Sequence, residues 1–214
     1  MNRKTCLTVL ATVVALALSA ALVGCTYTVY PPKTPYEGYG PQEKLHLKVA
    51  LNITDELRKT TCEYSPLGTY RLRIPIGESI AQNAGVLARH TFTEVVDVSN
   101  TGEATDGKAE AILTPKFSYF YQTAPTSPWS HSLVSIKVEW TLSRPSGNVI
   151  WVDTITGEHT GNMGLDEQAF LKRALKKALA NLFWNSQQAM LSSQAIRDFA
   201  MKNQAPEMKS NGGQ

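Results

Sequence analysis

The stretch VSIKVEWTLSRPSGNVIWV, residues 134–152, decides the fold. Apolar and polar side chains alternate over residues 134–142, the pattern of a strand with one buried face. A polar segment containing a proline and a glycine, residues 144–148, follows and is typical of a hairpin turn. The chain then returns in a second strand over residues 149–158. This hairpin predicts an antiparallel section of a β-sheet.

Upstream of the hairpin, the same alternation predicts further strands. They cover residues 45–53, 70–74 and 95–98, and an aromatic-rich strand covers residues 109–122. Between them, apolar residues at helical spacing predict a helix from Gly77 to about Thr91.

Downstream of the hairpin, the sequence predicts one long amphipathic helix. Asp166 is its expected N-cap. One face is apolar from Phe170 to Phe183, and the opposite face carries four basic residues within 172–177. Such a helix can lie on a membrane surface or pack its apolar face against a sheet, and packing is the preferred interpretation.

The order of these elements predicts an α+β fold. We expect an antiparallel or mixed sheet of about five strands with two main helices packed on one face. A single globular domain is expected over residues 44–195, followed by a polar C-terminal tail at 196–214.

The N-terminus has the features of a bacterial lipoprotein precursor. A short basic segment precedes the apolar run Leu7–Val23, which ends in Leu-Val-Gly-Cys, a lipobox. This predicts a signal peptide over residues 1–24, cleavage after Gly24, and lipidation of Cys25. Because Thr26 is not the aspartate of an inner-membrane retention signal, we expect the outer membrane. The alternative is a transmembrane helix with Cys25 incidental.

Residues 25–43 are predicted to form an extended tether between the lipid and the domain. The segment Thr26–Gln42 contains four prolines, two glycines and four tyrosines, a composition that disfavours packed elements. The expected membrane contact is therefore the N-terminal lipid, although tyrosines also suit the membrane interface.

The charge balance argues against a nucleic-acid-binding protein, and the cysteine content argues against an intramolecular disulfide. Without the signal peptide, 19 basic residues balance 18 acidic ones, so the sequence offers no basic surface for nucleic acid. Cys6 leaves with the signal peptide and Cys25 is expected to be lipidated, so Cys62 has no intramolecular partner. A buried thiol is the preferred interpretation, and an intermolecular disulfide is the alternative.

We find no catalytic or metal-binding motif. The four histidines are scattered, and no G-x-S-x-G elbow occurs. Gly102–Lys108 resembles a phosphate-binding loop, but Ala109 stands where the magnesium-binding hydroxyl is required. We therefore expect neither an enzyme nor a bound metal or cofactor.

The aromatic strand supplies the candidate partner surface. By simple alternation Phe117, Tyr119 and Tyr121 share one face, and Trp129 follows after a turn. These rings either form an exposed contact patch or belong to the core. Core packing is the preferred interpretation, and a binding surface, if the protein has one, is expected here.

Several segments carry a family resemblance. They are the opening strand LHLKVALNI, the step from the helix into Val95-Val96, the strand AEAILTPKFSYF and the hairpin VEWTLSRPSGNVIW. With the lipobox, they resemble small outer-membrane lipoproteins of TolB N-terminal-like architecture, which include auxiliary lipoproteins of ABC-type transport systems, LptE-like and YajG-like proteins, and lipoprotein activators of peptidoglycan synthesis. The region around Cys62 departs from this pattern. The resemblance implies a non-catalytic assembly or accessory role and transfers no binding residues.

The leading hypothesis is thus a lipid-anchored, non-enzymatic accessory protein, facing the periplasm and acting through protein–protein contacts in an envelope complex. A carrier of a lipid or hydrophobic ligand, with a pocket between sheet and helices, is the alternative. A hydrolase would require titratable residues clustered in a cleft.

Overall fold

The computed structural model describes residues 26–32, 43–65, 71–98, 109–123 and 130–204. Gly24, Cys25, Trp129 and the loop Gly102–Lys108 lie outside the described residues. The elements are β1 (Thr26–Thr28), β2 (Leu45–Asn52), α1 (Asp55–Lys59), β3 (Cys62–Tyr64), β4 (Arg71–Ile74), α2 (Gly77–Thr91), β5 (Phe92–Val98), β6 (Ala111–Gln122), β7 (His131–Ser143), β8 (Val149–Asn162), α3 (Glu167–Ser192) and α4 (Gln194–Gln204).

The main sheet has five strands in the order β5-β2-β6-β7-β8. Strand β2 pairs in parallel with both β5 and β6, while β6, β7 and β8 form an antiparallel meander. Helix α2 lies in the connection between the parallel strands β2 and β5, as parallel pairing requires a crossover. Gly147 has φ +89° in the predicted hairpin turn. The predicted α+β fold with a mixed sheet is confirmed.

Helices α2 and α3 join one face of this sheet in a single hydrophobic core. On β7, the alternating apolar residues are fully buried: Val134, Ile136, Val138, Trp140 and Leu142. The Trp140 ring meets Phe183 of α3 edge to face, with centroids 6.2 Å apart. We call this buried side of the sheet the helix face and the opposite side the open face.

Helix α3 begins and packs as the sequence predicts. The Asp166 carboxylate accepts a hydrogen bond from the Ala169 backbone N–H at 2.9 Å, which confirms the N-cap. The apolar stripe is buried and the four basic residues within 172–177 are exposed, so the helix packs on the sheet. The side-chain amides of Asn181 and Asn185 also donate to backbone carbonyls of β8. These two carbonyls at the edge of the sheet are therefore not free to pair with a strand of another molecule.

The N-terminal segment differs from the expected tether over residues 26–32. Strands β1, β4 and β3 form a second, three-stranded sheet, in which β1 pairs in parallel with β4. The Val29 N–H donates to the Arg73 carbonyl at 2.9 Å, and the Val29 side chain is buried in the main core. Burial of the Val29 side chain thus accompanies a paired strand in a segment whose proline and glycine content disfavours packed elements.

The C-terminal boundary also differs from the expected one at residue 195. Helix α4 includes residues 196–204, the first part of the segment 196–214 that was expected to be a polar tail. Ile196, Phe199 and Ala200 form a short apolar stripe that is buried against the core. The domain therefore extends to residue 204.

Cys62 is a free, buried cysteine, as predicted. Within the ranges that the structure describes, no helix combines the length and the apolar character needed to cross a membrane.

Candidate functional site

The candidate site is an aromatic pair on the open face of the main sheet. Tyr119 and Tyr121 of β6 are 47% and 43% exposed. Their rings stack nearly parallel, with centroids 6.2 Å apart and planes 10° apart. The Lys137 ammonium on β7 lies 5.9 Å from the centre of the Tyr119 ring, within cation–π range. The two rings thus form an ordered, solvent-facing surface.

Phe117 does not belong to this surface, contrary to the alternation-based prediction. The register between β6 and β7 shifts after Phe117, which pairs with Val138, and Tyr119 pairs with Lys137. Ser118 is the extra residue of a β-bulge, and such a residue reverses the alternation beyond it. Phe117 and Phe120 consequently both pack against the core. The other predicted member, Trp129, lies outside the described residues.

Polar groups surround the tyrosine pair on the neighbouring strands. Ser135, which pairs with Tyr121, donates its hydroxyl to the Glu158 carboxylate at 3.0 Å. Lys137 and Glu158 also line a depression of about 380 Å³ at the β8 edge. The open face near the tyrosines therefore offers aromatic rings, which are enriched at protein interfaces, next to charged groups of the kind found at an interface's polar rim.

A set of buried polar groups borders this surface, and the sequence analysis did not identify it. Within the described part of the chain, the Tyr64 hydroxyl, both polar atoms of the Gln122 amide and Glu167 Oε1 are buried without a hydrogen-bond partner. Burial raises the pKa of Tyr64, and electrostatic interaction with the nearby Glu167 and Tyr121 raises it further. Burial also raises the pKa of Glu167. Tyr64 of β3 thus links the small sheet to the tyrosine pair.

A cleft of about 700 Å³ lies where α3 and α4 meet the start of β2. Its apolar lining comes from Leu45, Leu191, Ala200 and Met201, with charged side chains at Lys44 and Arg197. The carrier hypothesis expected a pocket between the sheet and the helices. This cleft opens at the edge of that layer, while the β7 side chains on the helix face are fully buried.

The described ranges contain no group of three histidine, cysteine or acidic side chains placed to hold a metal ion. Burial raises the pKa of the Cys62 thiol to about 12, so this thiol stays protonated at physiological pH. Lipidation of Cys25 remains a prediction from the sequence.

No known protein-family profile and no curated protein matches the chain. Among solved structures, a Xanthomonas campestris protein of the DUF330 family is similar with a TM-score of 0.50 and 11% identity, over 84% of this chain and 99% of its own. A minor lipoprotein from Acinetobacter baumannii has a TM-score of 0.42 and 10% identity, over 69% and 93% of the two chains. Lipoprotein B from Nitrosomonas europaea has a TM-score of 0.35 and 13% identity, over 83% and 99%. The chain shares its fold with the Xanthomonas protein, and several of the structures that it resembles are bacterial lipoproteins.

Proposed function

We propose that this protein is a lipid-anchored, non-enzymatic accessory protein of the bacterial envelope, and that it acts by binding a partner protein. The observation that carries the proposal is the exposed Tyr119–Tyr121 pair on the open face. Tyrosine is enriched among the residues that dominate binding energy at protein interfaces.

The geometry of the pair suits binding because the rings are already ordered. Stacking holds Tyr119 against Tyr121, and Lys137 approaches the first ring from the next strand. Side chains held in place before binding lose little conformational entropy when a partner arrives. The β6–β7–β8 meander also gives them a rigid base.

The proposed anchor is the N-terminal lipid on Cys25, attached at the lipobox. Two or more acyl chains give stable membrane attachment, because each buried methylene contributes about 0.8 kcal/mol. From the residue after the cysteine, Thr26, we propose the outer membrane and its periplasmic face. Cys25→Ser should leave the precursor uncleaved, and normal processing of that variant would overturn the anchor.

The proposed binding surface is tested by replacing both Tyr119 and Tyr121 with serine in the lipidated protein. After crosslinking in native envelopes, the double variant should lose its partner while retaining its unfolding temperature. Trp184→Ser, at an aromatic side chain on α3 that is 36% exposed, is the matched control and should keep the partner. Undiminished capture by the double variant would contradict the proposal.

The alternative is a carrier of a hydrophobic ligand, and the cleft between α3, α4 and β2 favours it. Native mass spectrometry of the purified protein would detect a lipid in that cleft. A carrier should lose the lipid when Leu191 is replaced by glutamate, and partner capture should then be independent of Tyr119 and Tyr121.

A further inference from the structure

We propose that β1 docks the anchored protein on the bilayer in one orientation, with the outer face of the small sheet against the headgroups of anionic lipids. This outer face carries Thr26, Thr28, Arg71 and Arg73. The inference rests on the proposed lipidation of Cys25, and it adds a membrane-binding surface to the lipid itself.

The first argument is the length of chain between lipid and domain. Strand β1 begins at Thr26, the residue directly after Cys25. Thr26 pairs with Arg71 of β4 in parallel register. Neighbouring strands lie about 4.8 Å apart, so the Thr26 backbone is close to that of Arg71. Because Cys25 directly precedes Thr26 in the sequence, the proposed lipid is attached next to a paired strand and not at the end of a free linker.

The second argument is that β1 is held to the domain. The Val29 N–H donates to the Arg73 carbonyl, and the Val29 side chain is 1% exposed in the same core as Leu72 and Ile74. Detaching β1 to create a flexible tether would return this valine to water. The proposed acyl chains are therefore attached next to a strand that is paired with the folded domain.

The third argument is the charge of the outer face. The side chains of Leu72 and Ile74 point into the core, while Arg71 and Arg73 alternate with them and are exposed. Among the described residues of the three strands, the one carboxylate is that of Glu63 on β3, which lies 3.7 Å from Arg73. The described strands therefore carry an excess of positive charge, which complements lipid phosphates and anionic headgroups.

The flanking aromatic residue fits the same geometry. Tyr30 directly follows the buried Val29 and is 65% exposed. Tyrosine is favoured at the membrane–water interface because its ring is amphipathic. A position a few residues from the lipid places this ring at headgroup depth.

The test uses the full lipidated protein in vesicles of phosphatidylethanolamine and phosphatidylglycerol, with the intact mass measured first to establish lipidation. Thr28→Cys receives a nitroxide label, and Ser146→Cys in the exposed β7–β8 turn is the matched control. Cys62 is buried and should not be labelled. We expect the Thr28 label to lose most of its collisions with a water-soluble relaxation agent, and the Ser146 label to retain them.

The charge is tested in the same vesicles. Arg71→Ala and Arg73→Ala should each lower the ratio of shielded to unshielded Thr28 label about five-fold, since one basic residue near an anionic surface contributes about 1 kcal/mol. Lys202→Ala on α4 removes a positive charge outside the small sheet and should leave the ratio unchanged.

The outcomes separate this inference from the proposed function. A lipidated protein whose Thr28 label is as accessible as the Ser146 label overturns the docking and leaves the anchor standing. Equal shielding on neutral phosphatidylcholine vesicles overturns the assignment to anionic lipids. A mass without acyl chains overturns the proposed anchor itself.

Discussion

At the scale of single residues, Gly157 shows how tightly α3 is seated on β8. A Cβ at this position would lie 2.2 Å from the Ala178 carbonyl oxygen and 2.4 Å from the Leu182 nitrogen. Because both are helix backbone atoms, they cannot move aside separately. We expect Gly157→Ala to lower the free energy of unfolding by about 1–3 kcal/mol through overpacking, measured by chemical denaturation.

Gly85 in the middle of α2 is the matched control. There, the nearest atom to an added Cβ is the flexible end of Arg89, at 3.3 Å. Gly85→Ala should instead stabilise the protein by up to about 1 kcal/mol, since alanine favours a helix interior over glycine. If both variants were equally destabilised, the close approach at Gly157 would not be the cause.

Cys62 supplies a second prediction, from its buried thiol. Its pKa is raised to about 12 because burial penalises the thiolate. The native state therefore holds the proton more tightly than the unfolded state, so this contribution to stability is present below about pH 9 and is lost as the pH rises towards 12. Alkylation by iodoacetamide at pH 8 should be much slower in the native protein than in denaturant, and equal rates would contradict burial.

Sequence patterns at this scale predicted Cys62 correctly and the aromatic strand only in part. Exposure of Tyr119 and Tyr121 was one of two interpretations that the sequence left open, and core packing was the preferred one. Phe117 was placed on the wrong face, because strict alternation cannot reveal a bulge at Ser118. Nor did the sequence reveal the unpartnered amide of Gln122, since its burial depends on strands and helices that are distant along the chain.

At the scale of elements, the start of α3 can be tested through its cap. Asp166→Ala removes the hydrogen bond to the Ala169 N–H and should lower the free energy of unfolding by about 1 kcal/mol. Asp166→Asn keeps an acceptor in place and should retain most of this stability. Thermal unfolding monitored by circular dichroism compares the two variants, and equal losses would contradict a role for the cap.

The long elements were predictable and the short ones were not. Helix α2 was predicted over Gly77–Thr91, and the hairpin of β7 and β8 was predicted from its alternation and turn. Strand β1 was missed because three residues carry too little alternation to predict a strand. Helix α4 was missed because most of its residues are polar, although Ile196, Phe199 and Ala200 are at helical spacing. Their stability comes from a few buried residues, Val29 in β1 and Ile196 with Phe199 in α4, and tertiary packing of this kind is invisible to local patterns.

At the scale of the whole molecule, the pKa of Glu167 couples folding to pH. Burial raises this pKa, so the native state favours the protonated carboxyl. Its contribution to stability is therefore present at low pH and is lost as the pH rises through the raised value. Relative to wild type, Glu167→Gln should therefore be more stable at pH 7 than at pH 4, that is, its free energy of unfolding should compare better with that of wild type at the higher pH. An unchanged difference between the two pH values would contradict the burial.

The same region connects the two proposed surfaces. Tyr64 of β3 pairs with Leu72 of β4 in the small sheet, and its pKa responds to the nearby Tyr121. Tyr64 therefore belongs to the small sheet and also lies within electrostatic range of the tyrosine pair.

The most direct test of the central claim is site-specific photocrosslinking in living cells. A photoreactive phenylalanine analogue replaces Tyr121 on the open face, which is 43% exposed, or Trp184 on α3, which is 36% exposed and serves as the control. We predict one discrete crosslinked protein from position 121 that is absent from position 184 and depends on the lipobox cysteine. The same products from both positions, or none from position 121, would contradict partner binding through the tyrosine pair.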